Sequence, residues 1–272
     1  MDYDSLSTGF DMSLNRRWQP NFAIISLTGG VGTVLNKSFY DSGIFYPADL
    51  TVRTANEKWG LANTVYSAVS FDDRDLAYDA SKGWFASEKI SWTGLIPTVE
   101  NQFFFRSDTK VEGYLTLLNK KVTDIWNLKF VLFGYSSFSF LLPVGQNEIA
   151  PSNKLYIDGM FVGRGWGNLM ADKGQALWSN SFEFRFPVVT GFLALDAFYD
   201  VAILKNTIQD MSTISLNDAY FSVGGGLRLT VPQFPLKFLV AAPHTIRDGK
   251  FEWKNGTKNP FEFVLSFNLV NR

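Results

Sequence analysis

Apolar and polar residues alternate with a period of two along most of this chain, the mark of strands whose two faces meet different surroundings. The pattern is clearest at 103–117, where Phe103, Phe105, Val111, Leu115 and Leu117 share a face with Ser107, Thr109 and Gly113 between them. Arg106, Asp108, Lys110, Glu112 and Thr116 fall on the other face. Over 177–188, Trp178, Phe182, Phe184, Phe186 and Val188 oppose Ser179, Ser181, Glu183 and Arg185. Over 217–231, Ala219, Phe221, Val223, Leu227 and Leu229 oppose Asp218, Ser222, Arg228 and Thr230. The last strand aligns Phe261, Phe263, Leu265, Phe267 and Leu269 against Glu262, Ser266 and Asn268. Further strands are predicted over 9–17, 21–34, 60–72, 84–96, 128–142, 191–203 and 236–242, about eleven in all. Most run longer than the ~5–6 residues usual in globular sheets, and strands of ~9–11 tilted residues cross a bilayer's hydrocarbon.

Energy decides what each face meets. Basic side chains turned to lipid at mid-depth cost ~2–4 kcal/mol each, and acidic ones less. The charges of 103–117 together would then rival the ~5–15 kcal/mol stability of a whole domain. The charged face is therefore expected to see water, and the Phe-rich face something apolar. A soluble β-sandwich would bury that face against a second sheet; a membrane barrel would show it to lipid around a wet interior. Strand length and polar faces carrying both charge signs favour the barrel. Trp18, Trp59, Trp84, Trp92, Trp126, Trp178 and Tyr199 near strand ends suit an interfacial girdle, as they would suit scattered surface positions. Connections alternate too: 187–191 and 231–235 are short, whereas 35–59, 143–176, 204–217 and 243–260 are long. Short turns on one side and long loops on the other are the outer-membrane arrangement.

Composition narrows the chemistry. In 272 residues there are 25 Lys+Arg, 26 Asp+Glu, one His and no Cys. The near-balance of charge argues against a nucleic-acid footprint, and the missing cysteine excludes disulfide scaffolds and thiol chemistry. No apolar run is long enough for a membrane helix, and Met1-Asp2-Tyr3-Asp4 lacks the features of a signal peptide. Asp72, Asp73, Asp75 and Asp79 lack calcium-loop spacing and read as a charged turn; no metal site is predicted. Gly29-Gly30-Val31-Gly32 and Gly224-Gly225-Gly226 are not followed by phosphate-loop residues and read as strand glycines. His244 reads as a loop residue without a nucleophile beside it.

The long segment 143–176 holds Met160-Phe161-Val162-Gly163-Arg164-Gly165-Trp166-Gly167. Glycines on both sides of Arg164 let the backbone turn and approach a wall, and its planar guanidinium suits a carboxylate better than lysine would. Glu183, Asp196 and Asp200 on the next two strands are the acidic partners on offer. The alternative is a solvated surface loop.

These residues resemble the C-terminal part of the BamA superfamily of outer-membrane protein insertases, related also to TamA and two-partner secretion transporters. Val162-Gly163-Arg164-Gly165-Trp166 is similar to the family's Val-Arg-Gly-Phe/Tyr loop motif, with a glycine before the arginine and Trp in the aromatic place. Asp73-Arg74-Asp75 with Lys82-Gly83 resembles its Asp-x-Arg-Asp hairpin, and Ser181 to Pro187 its Glu-x-Arg-x-Pro strand. Phe198-Tyr199-Asp200-Val201, Gly224 to Arg228, Pro235 to Phe238 and the Phe-rich last strand follow in the family's order.

The resemblance implies an all-β, antiparallel transmembrane β-barrel in the bacterial outer membrane. Residues 1–272 would supply about 11–12 strands of a sixteen-stranded barrel, entered near the sixth strand, with the POTRA modules absent. Arg164 would lock the loop to Glu183 and Asp200. Phe261, Phe263, Leu265, Phe267 and Leu269 would form one side of a lateral seam that templates incoming strands. Expected partners are nascent outer-membrane β-barrel proteins, outer-membrane lipids and, through the POTRA modules, accessory assembly lipoproteins. No enzymatic activity and no cofactor are expected. A passive pore, a polypeptide secretion channel and a soluble binding module are the competing readings.

Overall fold

The computed structural model describes residues 3–123, 126–145, 148–189, 191–231, 236–256 and 259–267. They form an all-β fold whose strands run in chain order through a twelve-stranded sheet. The strands are β1 (Asp4–Trp18), β2 (Ile24–Phe39), β3 (Gly60–Asp72), β4 (Gly83–Thr93), β5 (Phe104–Lys121) and β6 (Asn127–Pro143). After a long connection come β7 (Ala176–Val189), β8 (Leu193–Lys205), β9 (Ala219–Leu229), β10 (Leu236–Arg247), β11 (Lys250–Trp253) and β12 (Glu262–Phe267). The ladders β1–β2, β7–β8, β8–β9 and β9–β10 are antiparallel, and β10 also pairs with both β11 and β12.

The residues gather into two compact units. The first holds 1–71, 87–109 and 139–155. Its β1–β2 ladder runs from Asp4 opposite Phe39 to Trp18 opposite Ile25. The Tyr66 hydroxyl donates to Asp11 at 2.8 Å, and its ring lies across Gly30, where a β-carbon would stand 2.5 Å from the ring. Glycine is needed there for close approach. Asp49 caps the one short α-helix among the described residues, α1 (Leu50–Thr54), by accepting from the Thr51 N–H, and its second oxygen takes the Ser152 N–H at 2.8 Å.

The second unit holds 72–86, 110–138 and 156–272. In β7 and β8 the alternation is resolved face by face: Phe182, Phe184, Leu195 and Tyr199 are exposed, while Glu183, Arg185, Asp196 and Asp200 are buried. Phe182 is 59% exposed and Phe263 68%, so these rings do not pack on a second sheet and the sandwich reading falls.

Three expectations are corrected. The segment 243–260 is not one loop, because β10 runs on to Arg247 and turns through Asp248 and Gly249 into β11. His244 is accordingly a strand residue, stacked on Phe221 at 5.5 Å between ring centres and flanked by Phe251 and Trp253. Finally, the charged side chains Glu183, Arg185, Asp196, Asp200, Arg228 and Lys237 of β7–β10 do not line an open aqueous face; they are buried by protein.

Candidate functional site

Part of that cover is the segment 156–168, which meets Glu183 of β7, Asp200 of β8, Phe221 of β9 and Pro243 of β10 on the face opposite the exposed phenylalanines. Its shape is local. Asp158 accepts the N–H groups of Met160, Phe161 and Val162 at 2.7–2.9 Å, and the Gly165 N–H donates to the Gly159 carbonyl at 2.9 Å. Gly165 has φ +88°, and a β-carbon there would stand 3.1 Å from Ala241 and 3.3 Å from Pro243. A side chain would thus be strained and crowded at once. Trp166 is buried, and its indole N–H donates to the Phe221 carbonyl at 2.9 Å.

Arg164 is thereby delivered into the wall. Its Nε and Nη2 donate to the two oxygens of Asp200, each at 2.6 Å; Nη1 donates to Glu183 at 2.8 Å and Nη2 to Ser181 at 2.8 Å. Its Cζ lies 3.6 Å from the centre of the Phe198 ring. Burial alone would lower the Arg164 pKa, but Asp200 and Glu183 outweigh it and hold the group above its ordinary value, so it stays charged. The bidentate pairing with Asp200 uses the planar fork that lysine lacks.

Glu183 is the hub. It also accepts from Arg185 at 2.7 Å and from Lys237 of β10 at 3.3 Å. Asp196 does not join Arg164; it pairs with Arg228 of β9 at 2.8 Å, and Arg228 also holds Asp79 at 2.7 Å. Arg164, Arg185, Arg228 and Lys237 are thus matched by Glu183, Asp196, Asp200 and Asp79. The four positive and four negative groups cancel. Such balance is required here, because one unpaired buried charge costs several kcal/mol.

Sequence reasoning brought Arg164, Glu183 and Asp200 together but missed Arg185, Lys237, Arg228 and Asp79. Arg185 and Arg228 were visible on the right faces of their strands; Asp79, in a turn, carried no signal. Among the seam candidates, Phe263, Leu265 and Phe267 line the exposed face of β12. Phe261 precedes the strand rather than belonging to it, and Leu269 lies outside the described residues. In the charged turn, Asp72 pairs with Arg74 and Asp75 holds Ser81, and no metal-binding group of His, Cys, Asp or Glu occurs among the described residues.

The model of the Omp85 superfamily domain matches residues 1–268. The chain belongs to the Omp85 superfamily. It is 36% identical, over its whole length, to a Treponema pallidum (strain Nichols) protein named "Putative outer membrane protein assembly factor". It spans 35% of that relative's length. Among solved structures it resembles BamA from Haemophilus ducreyi lacking POTRA domains 1–3, with a TM-score of 0.65 and 17% identity. That match covers 96% of this chain and 54% of the other. The fold is similar to that of the BamA barrel, and the chain is an outer-membrane domain of this superfamily.

Proposed function

We propose that this domain folds and inserts other outer-membrane β-barrel proteins by offering the edge of its terminal strand as a template. The observation that carries the reading is that, among the described residues, β12 pairs with β10 along one edge, from Leu236–Phe267 to Ala241–Glu262, and with no strand along the other. An unpaired strand edge exposes donors and acceptors that another extended chain can take up. Phe263, Leu265 and Phe267 offer that chain an apolar neighbour on the lipid side. Insertion by this route breaks no covalent bond and needs no nucleotide or metal, so no enzymatic activity is assigned. Nascent barrel proteins and membrane lipids are the partners. Accessory lipoproteins would act through POTRA modules of a longer protein. The family and the relative's name support the coarse role; the templating step is our reading.

The test is reconstitution of the full-length protein in liposomes, with the folding rate of an unfolded outer-membrane barrel as readout. Arg164→Ala and Glu183→Ala should slow folding and raise amide exchange at 158–166. Full activity with unchanged exchange in both variants would remove the assignment. A second reading, a channel, draws on the half-buried charges Arg106, Asp108 and Lys110 of β5. It requires steady conductance in planar bilayers without any acceleration of barrel folding.

A further inference from the structure

The terminal strand is broken where the loop touches it. His244 of β10 pairs with Trp253, but Ala241, three positions away, pairs with Glu262, nine positions on. The break faces Pro243, whose carbonyl accepts the Lys254 N–H at 2.9 Å but whose ring nitrogen has no hydrogen to return. A continuous ladder therefore loses a bond at this point, and the chain leaves it. Gly165 of the loop sits against the same proline.

Lys254 stands at the junction. Its Nζ donates to the Gly165 carbonyl at 2.7 Å and to the Glu262 carboxylate at 3.0 Å, and its side chain is largely buried. Asn255 donates to the same Glu262 oxygen at 2.8 Å. Beside them lies a cavity of about 350 Å³ between Met160, Gly165 and Asn168 of the loop and residues 262–265 of β12. Loop and strand are thus joined through one ammonium, with open space beside it.

We propose that Lys254 couples the docking of the loop to the pairing of β12, so that withdrawal of Arg164 from its carboxylates loosens the terminal strand. A charge-assisted contact shared by two elements transmits the state of one to the other, and the coupling acts in both directions. Lys254 is in this sense a positioning residue. The proposal deepens the templating reading, since it makes the loop the control on the strand that would exchange.

Amide exchange on the full-length protein in lipid, without substrate, tests it. Arg164→Ala and Lys254→Met should each raise exchange across 262–267 by roughly tenfold, and the double variant no further than either alone. Lys254→Arg should restore protection. By reciprocity, Glu262→Gln must raise exchange at Gly165 and Trp166, a variant that also serves should Lys254→Met fail to fold. Unchanged amides in β7 and β8 confirm an intact wall. The proposal is overturned if Arg164→Ala leaves β12 protected, or if the two substitutions act independently. Templating fails separately: coupling would persist in the exchange data while Arg164→Ala folded substrate at the normal rate.

Discussion

Asp79, in the turn between β3 and β4, bonds Arg228 of β9 at 2.7 Å across 149 positions of sequence. Arg228 is 1% exposed and has Asp196 as its second carboxylate. The turn is therefore tied to the same inner wall that holds the loop. Replacing Asp79 by Ala leaves Asp196 to neutralise Arg228. The cost should fall below the ~3–5 kcal/mol of breaking an isolated buried pair. Exchange in 76–82 should rise while β7–β9 stay protected.

Glu183 faces a harsher test because three cations converge on it. Glu183→Gln leaves Arg164, Arg185 and Lys237 with one carboxylate fewer, at a cost of about 3–5 kcal/mol. Unfolding midpoints in detergent should fall accordingly. Adding Lys237→Met should recover part of the loss, because the buried charges balance again.

Gly165→Ala should weaken the loop without touching any charge. The left-handed backbone costs ~1–2 kcal/mol for a residue with a β-carbon, before the crowding against Ala241 and Pro243 is counted. Proteolysis within 156–168 should speed up, and Trp166 fluorescence should shift towards that of a more exposed indole.

Acid should release the turn at 73–82. Burial pushes the Asp75 carboxyl up, but bonds from Ser81 and the Lys82 N–H outweigh it, and its pKa falls below the ordinary 3.8. The sign follows: this contribution is fully present above 3.8 and is lost as pH drops through the lower, folded value. Exchange at Ser81 and Lys82, corrected for the intrinsic rate, should rise over that interval, and Asp75→Asn should abolish the pH dependence.

The chain's own pattern determined which face of each strand is apolar, since period two places every second side chain together and lipid or water then selects the face. It offered Glu183, Asp196 and Asp200 as carboxylates for Arg164, of which the family resemblance singled out Glu183 and Asp200; the contacts themselves sent Asp196 to Arg228 instead. Only the tertiary structure decided that the inner charges of β7–β10 are buried and mutually neutralised. Their burial depends on a loop folding back from outside the strands and on Asp79 arriving from a distant turn, and neither has a local signature. The break between β11 and β12 was hidden for a similar reason. Pro243 is legible as a lost donor, but that it faces Lys254, with Gly165 against it, follows from contacts far apart in the chain.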